Sequence, residues 1–281
     1  MLLDGGLGSM LIAAGLPAGR APEWWNLEHP ERVASVHRAY VDAGSEIVHA
    51  NSFGGNPVRL AATGLAGRCG EVNAAAAAIA RAACAGRALV AGDVGPTGAM
   101  LPPVGSATVA ELRAAYREQA AALADAGADL VSIETMSDLR EALAALEAAL
   151  ATGLAVIASM TFAVRRRGCF TVMGDPLAPS LAALASAGAV AVGCNCTVGP
   201  EEMAAMAREA APALAAPLVA QPNAGLPRLT AEGASYAAEP EGFAASMASV
   251  VAAGARAVGG CCGTTPEFIG AMRAMLVARG A

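Results

Sequence analysis

The chain has 281 residues, of which 56% are hydrophobic and 15% charged, and its formal net charge is −6. This composition allows a large buried core, and the negative charge argues against nucleic acid as a main partner. Gly, Pro and charged residues interrupt every apolar run before the roughly 18–20 residues that a membrane helix needs. Met1-Leu2-Leu3 runs into Asp4 without a secretory signal, so the seven cysteines are expected to be thiols in a reducing, cytoplasmic compartment.

Short apolar runs alternate with longer alanine-rich stretches along the whole chain. The runs predict eight strands, at Leu2–Asp4, Ile47–Asn51, Leu89–Asp93, Leu130–Glu134, Val156–Phe162, Val190–Cys196, Leu218–Asn223 and Ala255–Cys261. The stretches predict eight helices, at Pro30–Ala43, Val72–Ala85, Val109–Ala126, Leu139–Ala151, Ala182–Ala187, Glu201–Leu214, Glu241–Ala253 and Pro266–Ala278. Apolar strands separated by helices are typical of a parallel sheet covered on both faces.

Eight strand–helix units predict one (β/α)8 TIM barrel domain over residues 1–281, with its active site at the C-terminal ends of the strands. A doubly wound open sheet is the alternative, but Asp4-Gly5-Gly6-Leu7-Gly8-Ser9 lacks the glycine spacing of a dinucleotide-binding turn. A polar, acidic or thiol residue stands at or next to the end of each predicted strand. These residues are Asp4, Asn51, Asp93, Glu134, Thr161, Cys196, Asn223 and the pair Cys261–Cys262.

Three of the strand-end residues form a candidate metal site. Cys196 ends the sixth strand, and Cys261 and Cys262 end the eighth, which is a close neighbour in a barrel. Three thiolates suit Zn²⁺ and leave its fourth tetrahedral position open for a substrate. The remaining cysteines, Cys69, Cys84, Cys169 and Cys194, are expected to be buried thiols or to lie on helix surfaces.

The type of ligand then indicates the chemistry. Three thiolates make zinc a poor activator of water, whereas a fourth thiolate would stay deprotonated and nucleophilic near neutral pH. Alkylation of a thiol substrate is therefore favoured over hydrolysis. Asp4 and Glu134 could hold the ammonium of an amino acid, and the amides of the Gly5-Gly6 turn could hold its carboxylate. Asn51 is a further substrate-binding candidate.

The chain resembles the zinc-dependent homocysteine S-methyltransferase family, which includes betaine–homocysteine methyltransferases and the homocysteine module of cobalamin-dependent methionine synthase. The resemblance rests on Asp4-Gly5-Gly6-Leu7-Gly8-Ser9, Asn51-Ser52-Phe53-Gly54, Gly92-Asp93-Val94-Gly95-Pro96-Thr97-Gly98, Ile133-Glu134-Thr135, Gly193-Cys194-Asn195-Cys196, Pro222-Asn223-Ala224-Gly225 and Gly259-Gly260-Cys261-Cys262-Gly263-Thr264. It implies a barrel that binds one zinc through Cys196, Cys261 and Cys262, and homocysteine recognition by Asp4, Glu134 and first-turn amides. It also implies that Asn223 is a displaceable fourth ligand.

The resemblance leaves the methyl donor open between betaine, S-methylmethionine and a methylcorrinoid. No cobalamin-binding domain follows in the sequence, so methylcobalamin would have to arrive on a separate corrinoid protein. Gly55 stands where animal betaine enzymes have a tyrosine, although Trp24 and Trp25 could supply an aromatic cage. A homo-oligomer is possible. The alternative from another functional class is a non-catalytic zinc-binding, thiol-binding or redox-sensing protein.

Overall fold

A parallel sheet with helices on its outer side forms the frame of the molecule. The computed structural model describes residues 1–17, 19–225, 228–230 and 233–280. The strands are β1 (Ile47–His49), β2 (Leu89–Val94), β3 (Leu130–Met136), β4 (Ala155–Met160), β5 (Ala163–Arg165), β6 (Gly168–Phe170), β7 (Ala191–Asn195), β8 (Leu218–Gln221), β9 (Arg228–Thr230), β10 (Gly233–Ser235) and β11 (Ala255–Val258). Seven of them form the main sheet, in the order β1-β2-β3-β4-β7-β8-β11, and all its pairs are parallel.

The N-terminal segment lies between the two edge strands of this sheet. Leu2 forms an isolated parallel bridge with Val258 of β11, and Leu3 forms one with Ile47 of β1. The Leu3 amide donates to the Val258 carbonyl at 2.8 Å, and the Asp4 amide donates to the Ile47 carbonyl at 3.1 Å. The predicted first strand is thus reduced to two bridges, and the continuous sheet contains seven strands rather than eight.

The helices cover the outer face of the sheet. They are α1 (Leu7–Ala13), α2 (Trp25–Glu28), α3 (Pro30–Ala43), α4 (Pro57–Ala62), α5 (Cys69–Cys84), α6 (Val109–Asp125), α7 (Leu139–Leu150), α8 (Leu177–Ser186), α9 (Pro200–Ala210), α10 (Pro240–Ala252) and α11 (Pro266–Ala278). Several begin at a proline, whose fixed φ suits the first helical turn. None of the described helices combines the length and apolarity that crossing a membrane requires.

Some predicted boundaries were wrong. The helix predicted at Ala182–Ala187 begins five residues earlier, at Leu177, directly after Pro176. The strand predicted to reach Phe162 ends at Met160, because the chain then turns into the short β5–β6 hairpin. Arg165, Arg166 and Arg167 lie exposed at the tip of that hairpin. The antiparallel pairs β5–β6 and β9–β10 were not predicted.

A ring of apolar side chains fills the interior of the curved sheet. Each of the seven main strands contributes one residue, and the N-terminal segment contributes Leu3; the others are Ile47, Ala91, Leu130, Ile157, Ala191, Val219 and Ala257. All are buried. Packed layers of this kind are typical of barrel interiors, and they close the space beneath the strand ends.

Candidate active site

A layer of polar side chains lies directly above the apolar ring. Side chains two positions apart on a strand point to the same face, so the residues two or four positions beyond the ring also point inward. They are His49, Asp93, Ser132, Glu134, Ser159, Asn195, Gln221 and Cys261. Several of them line a cavity of 480 Å³ at the carboxyl ends of the strands, together with Gly5, Gly6, Asn51, Cys196 and Cys262.

The three predicted metal ligands converge in this cavity. The sulfur atoms of Cys196, Cys261 and Cys262 all lie within 4.8 Å of one another, and the Cys196 and Cys262 sulfurs are 3.9 Å apart. Zinc–sulfur bonds of about 2.3 Å in a tetrahedron place neighbouring sulfurs roughly 3.8 Å apart. The side chains therefore fit a zinc ion with three cysteine ligands.

Long-range hydrogen bonds hold the two adjacent cysteines in place. The Cys261 amide donates to the Pro222 carbonyl at 2.8 Å. The Cys262 amide donates to the Asn223 side-chain oxygen at 3.1 Å, and the Cys262 carbonyl accepts from Ala224 at 3.0 Å. The turn is also tied to the N-terminus, because the Gly6 amide donates to both the carbonyl and the hydroxyl of Thr264.

Cys196 reaches the site through an unusual backbone conformation. Cys194, two residues earlier, belongs to the hydrophobic cluster that includes residues of the outer helices, and strict alternation would send Cys196 the same way. Instead, Cys196 and Thr197 have φ values of 60° and 66°, in the left-handed region that non-glycine residues rarely adopt. Strain of this kind persists where the surrounding structure enforces it, often at functional sites. Here the turn brings the Cys196 sulfur towards Cys262.

Without a bound metal, the three cysteines of the cavity hydrogen-bond to one another and shift one another's pKa. Hydrogen bonds from Cys261 and Cys262 lower the pKa of Cys196 to about 3. Its negative charge and the hydrogen bond to it raise the pKa of Cys262 to about 11 and that of Cys261 well above the usual thiol range. The metal-free protein therefore holds one thiolate and two thiols near neutral pH.

Zinc binding should therefore release about two protons per ion at pH 7–8, since all three ligands bind as thiolates. We expect the apparent affinity for zinc to rise about 100-fold per pH unit in this range. Chelator competition at several pH values, with proton release followed in weak buffer, measures both quantities. Cys84→Ser, which removes a buried thiol of α5 outside the cavity, should leave them unchanged. Zinc binding without proton release would contradict this assignment.

A buried acid–base cluster forms another part of the cavity lining. His49 Nδ1 is 2.6 Å from Asp4 Oδ1, and the His49 amide donates to Asp4 Oδ2 at 2.8 Å. On its other side, His49 Nε2 is 3.1 Å from the Ser132 hydroxyl and 3.4 Å from Glu134 Oε1. Asp4 is fully buried and does not line the cavity, whereas His49 and Glu134 do. His49 thus lies between the two acids that the sequence predicted as substrate ligands.

The charges in this cluster are strongly coupled. Burial by itself lowers the pKa of His49, but the carboxylates of Glu134 and Asp4 outweigh it and raise that pKa to about 10. Burial raises the pKa of Glu134, and it raises that of Asp93 well above the usual range. Among the described residues, Glu134 Oε1 has the 3.4 Å ion-pair contact with His49 Nε2, and Asp93 Oδ1 has no hydrogen-bond partner. This part of the cavity lining can therefore accept a cationic group.

The other predicted substrate residues also line the cavity. Asn51 donates to the Pro22 carbonyl and to the Asn26 side chain, both at 2.8 Å, and so ties the loop before α2 to the end of β1. Gly5 and Gly6 pack closely on the Cys261–Thr264 turn, where a Cβ on Gly6 would lie 2.6 Å from the Cys261 carbonyl oxygen. The Gly6 amide is occupied by Thr264, so the next amides of this turn are the candidates for a substrate carboxylate.

Several cavity residues were not predicted from the sequence as site residues, among them Arg20, Glu23, Phe53 and Arg59. They lie in the connections that follow the first two strand ends, which include the short helix α4, and connections after barrel strands commonly complete an active site. That position was the only signal available for finding them. His49 of β1 was also not predicted; its ring contacts Asp4, and it lines the cavity as well.

The two tryptophans do not offer an open aromatic cage. The guanidinium of Arg20 lies 4.6 Å from the ring centroid of Trp24, and the Trp24 indole N–H donates to the Thr63 carbonyl at 3.0 Å. Trp25 is buried, with Arg32 5.0 Å from its ring centroid. Neither tryptophan is among the residues that line the cavity.

Known proteins are similar to this chain over nearly its whole length. The model of the homocysteine S-methyltransferase family matches residues 1–276. Methionine synthase of Mycobacterium tuberculosis is 33% identical over 292 residues, and that of Mycobacterium leprae is 32% identical. Each match covers 96% of this chain but only 24% of the relative, so the chain spans about a quarter of the length of these proteins.

Solved structures show the same similarity. The metallated form of the Escherichia coli homocysteine methyltransferase MmuM superimposes with a TM-score of 0.81 at 31% sequence identity. The match covers 98% of this chain and 95% of that chain. The oxidized form of the same enzyme also gives a TM-score of 0.81, at 30% identity.

Proposed function

Because the chain belongs to the homocysteine S-methyltransferase family, we propose that it transfers a methyl group to the thiol of homocysteine and produces methionine. One observation supports this most directly: three convergent cysteine sulfurs share a cavity of 480 Å³ with the acidic side chains of Glu134 and Asp93. A thiol-bearing amino acid carries the two groups that these walls would bind. The family match over residues 1–276 also supports treating the chain as one catalytic domain.

In the proposed complex, Glu134 accepts a hydrogen bond from the substrate ammonium. Asp4 acts through His49, since both of its carboxylate oxygens interact with that residue. The imidazole between the two acids orients Glu134 and keeps the wall from carrying excess negative charge. Unoccupied backbone amides that follow Gly6 in the first turn would bind the substrate carboxylate. Asn51 would hold the loop that closes this end of the cavity.

The proposed metal is one zinc ion, held by Cys196, Cys261 and Cys262. When bound, it keeps the homocysteine sulfur as a nucleophilic thiolate near neutral pH. Asn223 is the proposed displaceable ligand, because its side-chain oxygen is beside Cys262 and retains a second lone pair after accepting the Cys262 amide. The cysteine thiols are thus ligands, and the substrate supplies the nucleophile.

Methyl transfer in this site needs no acid or base at the reacting atoms. The substrate sulfur attacks the methyl carbon in line, a sulfur–carbon bond forms, and the bond from the methyl carbon to the donor breaks. The bonding electron pair leaves with the donor. The protein's part is to hold the two reactants at the correct angle and to exclude water. The free thiol state of all seven cysteines is consistent with a reducing, cytoplasmic location.

We further propose that the Leu2–Asp4 segment completes a closed barrel of eight strands. Its hydrogen bonds to both β1 and β11 support this, as does the place of Leu3 in the inner apolar ring. Closure would fix Asp4 against His49 and Gly6 against the Cys261–Thr264 turn, so that both walls of the cavity depend on the N-terminal segment. Association of this domain into a homo-oligomer remains a prediction.

A screen of methyl donors with zinc-loaded protein tests the proposed function. Betaine, S-methylmethionine and methylcobalamin, alone or on a corrinoid protein, are each incubated with homocysteine, and methionine is measured. We expect methionine with at least one of them. Bound zinc without turnover on any donor would instead favour a non-catalytic zinc- or thiol-binding protein.

Glu134→Gln tests the ammonium contact separately from the metal. We expect homocysteine affinity to fall about 10- to 100-fold, because a charge-assisted hydrogen bond becomes a neutral one in a buried site. Zinc content should not change, since Glu134 is not a ligand. Isothermal titration with homocysteine, alongside metal analysis of the same sample, measures both. Unchanged homocysteine affinity would remove Glu134 from the site.

A further inference from the structure

A β-bulge at the end of β3 carries the acid that is proposed to bind the substrate ammonium. The pairing of β3 with β4 shifts between Ile133 and Met136, so that Glu134 and Thr135 stand opposite one residue of β4. Both of these consecutive side chains line the cavity, although strict alternation would send one of them outward. A bulge re-aims the side chains of its strand, and this one sets where the Glu134 carboxylate lies.

Asn195 of β7 holds the bulged residue from behind. The Thr135 amide donates to Asn195 Oδ1 at 2.7 Å, and Asn195 Nδ2 donates to the Thr135 hydroxyl at 2.7 Å. Asn195 is buried and is not among the residues that line the cavity. Thr135 has a φ of 60°, in the left-handed region that β-branched residues rarely adopt. The two hydrogen bonds therefore hold a strained residue in place at the cavity wall.

The same side chain is attached to the cysteine turn. Asn195 is the last residue of β7 and directly precedes Cys196, which also has a φ of 60°. The Cys196 amide donates to the Gln221 carbonyl of β8 at 3.0 Å. In the main sheet β4 lies between β3 and β7, so the hydrogen bonds of Asn195 join two strand ends that the sheet does not pair directly. Asn195 thus links the position of Glu134 to that of Cys196.

The separation of these two groups must match the length of the substrate. In the proposed complex the substrate sulfur binds the metal that Cys196 helps to hold, and the substrate ammonium binds Glu134. Homocysteine has two methylene groups between its sulfur and its α-carbon, whereas cysteine has one. A site can select between them only if its binding groups are held to within about 0.5 Å by supporting hydrogen bonds.

We propose that Asn195 is a positioning residue that sets the distance between Glu134 and the metal ligand Cys196, and that this distance makes the site select homocysteine over the shorter cysteine. This inference rests on the proposed function. Asn195 acts through Thr135 on one side and through the backbone of Cys196 on the other, without touching the substrate.

Isothermal titration of zinc-loaded protein with homocysteine and with cysteine tests this role without a methyl donor. Wild-type protein should bind homocysteine about 10- to 200-fold more tightly, the range expected for one methylene group. Asn195→Leu, which replaces both hydrogen bonds by a side chain of similar shape, should reduce this ratio about 10-fold. Thr135→Val removes only the hydroxyl bond and should reduce the ratio less. Thr135→Ser keeps both bonds and should retain it.

A double variant separates positioning from a general loss of stability. The losses of homocysteine affinity in Asn195→Leu and Glu134→Gln should add to less than their sum, because both changes act on the same ammonium contact. Circular dichroism and metal analysis of each variant check the fold and the zinc content. Should Asn195→Leu fail to fold, Thr135→Val combined with Glu134→Gln measures the same coupling.

Thr152→Val is the matched control for Thr135→Val, because the Thr152 hydroxyl donates to the Ala149 carbonyl after α7 and does not line the cavity. It should leave the ratio unchanged. Equal losses for homocysteine and cysteine in Asn195→Leu would overturn the inference, as would additive losses in the double variant or equal binding of both amino acids by wild type. Each of these results leaves the proposed methylation of homocysteine intact. Wild-type protein that binds neither amino acid would overturn both.

Discussion

Cys262→Ser is expected to remove bound zinc and methyl transfer together. A serine hydroxyl is a far weaker zinc ligand than a thiolate, and only Cys196 and Cys261 would remain to hold the ion. Without the metal the substrate thiol is largely protonated near neutral pH, so the rate should fall at least about 1,000-fold. Metal analysis and a methyl-transfer assay on the same preparation measure the two effects.

Cys169→Ser is the matched control for this change, because Cys169 is a buried thiol of β6 that does not line the cavity. It should retain zinc and activity. The three cavity cysteines are only partly buried and do not belong to the main hydrophobic cluster, so Cys262→Ser should also keep the fold, which circular dichroism can verify. Methyl transfer at the wild-type rate by Cys262→Ser would contradict the proposed mechanism, whatever its zinc content.

His49→Gln should cause the largest loss of stability of any single change in the cavity. It removes the cation between Asp4 and Glu134 and leaves buried acids without a charged partner, a change that costs about 3–5 kcal/mol in the free energy of unfolding. Urea unfolding monitored by fluorescence measures the difference from wild type.

The loss of stability in His49→Gln is expected to become smaller as the pH rises. The pKa of His49 is raised from 6.5 to about 10 in the folded protein, so the folded state binds more protons than the unfolded state between these values. The stabilisation from His49 is therefore complete below pH 6.5 and is lost as the pH rises towards 10. We expect the gap between wild type and His49→Gln to narrow across this range.

His37 provides a control, because its pKa is shifted in the direction opposite to that of His49. It is fully buried in α3, and burial lowers its pKa to about 4. Among the described residues, neither of its ring nitrogens has a hydrogen-bond partner. His37→Leu should therefore cost little near neutral pH and should remove a loss of stability that wild type shows as the pH falls from 6.5 to 4. A stability gap for His49→Gln that is independent of pH would contradict a charged His49.

The predictions for Cys262→Ser and His49→Gln assign different roles to the two groups of cavity residues, the cysteines and the acid–base cluster around His49. The cysteine wall should govern metal content and rate with little effect on folding, because its residues are on turns held by backbone hydrogen bonds. The acid wall should govern stability and amino-acid binding, because its charges are buried against the apolar ring. A variant that lost zinc through Glu134→Gln would show that the walls are coupled.

Much of this molecule could be derived from its sequence. Apolar runs separated by alanine-rich helices predicted the parallel sheet, and most strand and helix positions are confirmed to within a few residues. Most of the predicted polar strand ends line one cavity, because parallel strands place their carboxyl ends at one edge; these residues are Asn51, Asp93, Glu134, Cys196, Cys261 and Cys262. The Gly-Gly-Cys-Cys-Gly motif also identified the family, which the match over residues 1–276 confirms.

Three features depended on tertiary contacts that no local pattern encodes. Asp4 has the position predicted for a substrate ligand, but His49 of the neighbouring strand takes both of its oxygens. Cys196 should follow Cys194 to the outer side, and only its left-handed backbone turns the sulfur to Cys262. Arg59 looks like an ordinary exposed helix residue until the loop after β1 places it over Phe53.

The sequence by itself determined which elements form and which chemical groups stand at the strand ends, because periodicity and residue type act locally. The tertiary structure decided which of those groups remain available to a ligand. A buried carboxylate or guanidinium is available only if no neighbour from a distant part of the chain has already paired with it. Here that condition separates Asp4, which His49 occupies, from Glu134, Asp93 and Arg59, which line the cavity.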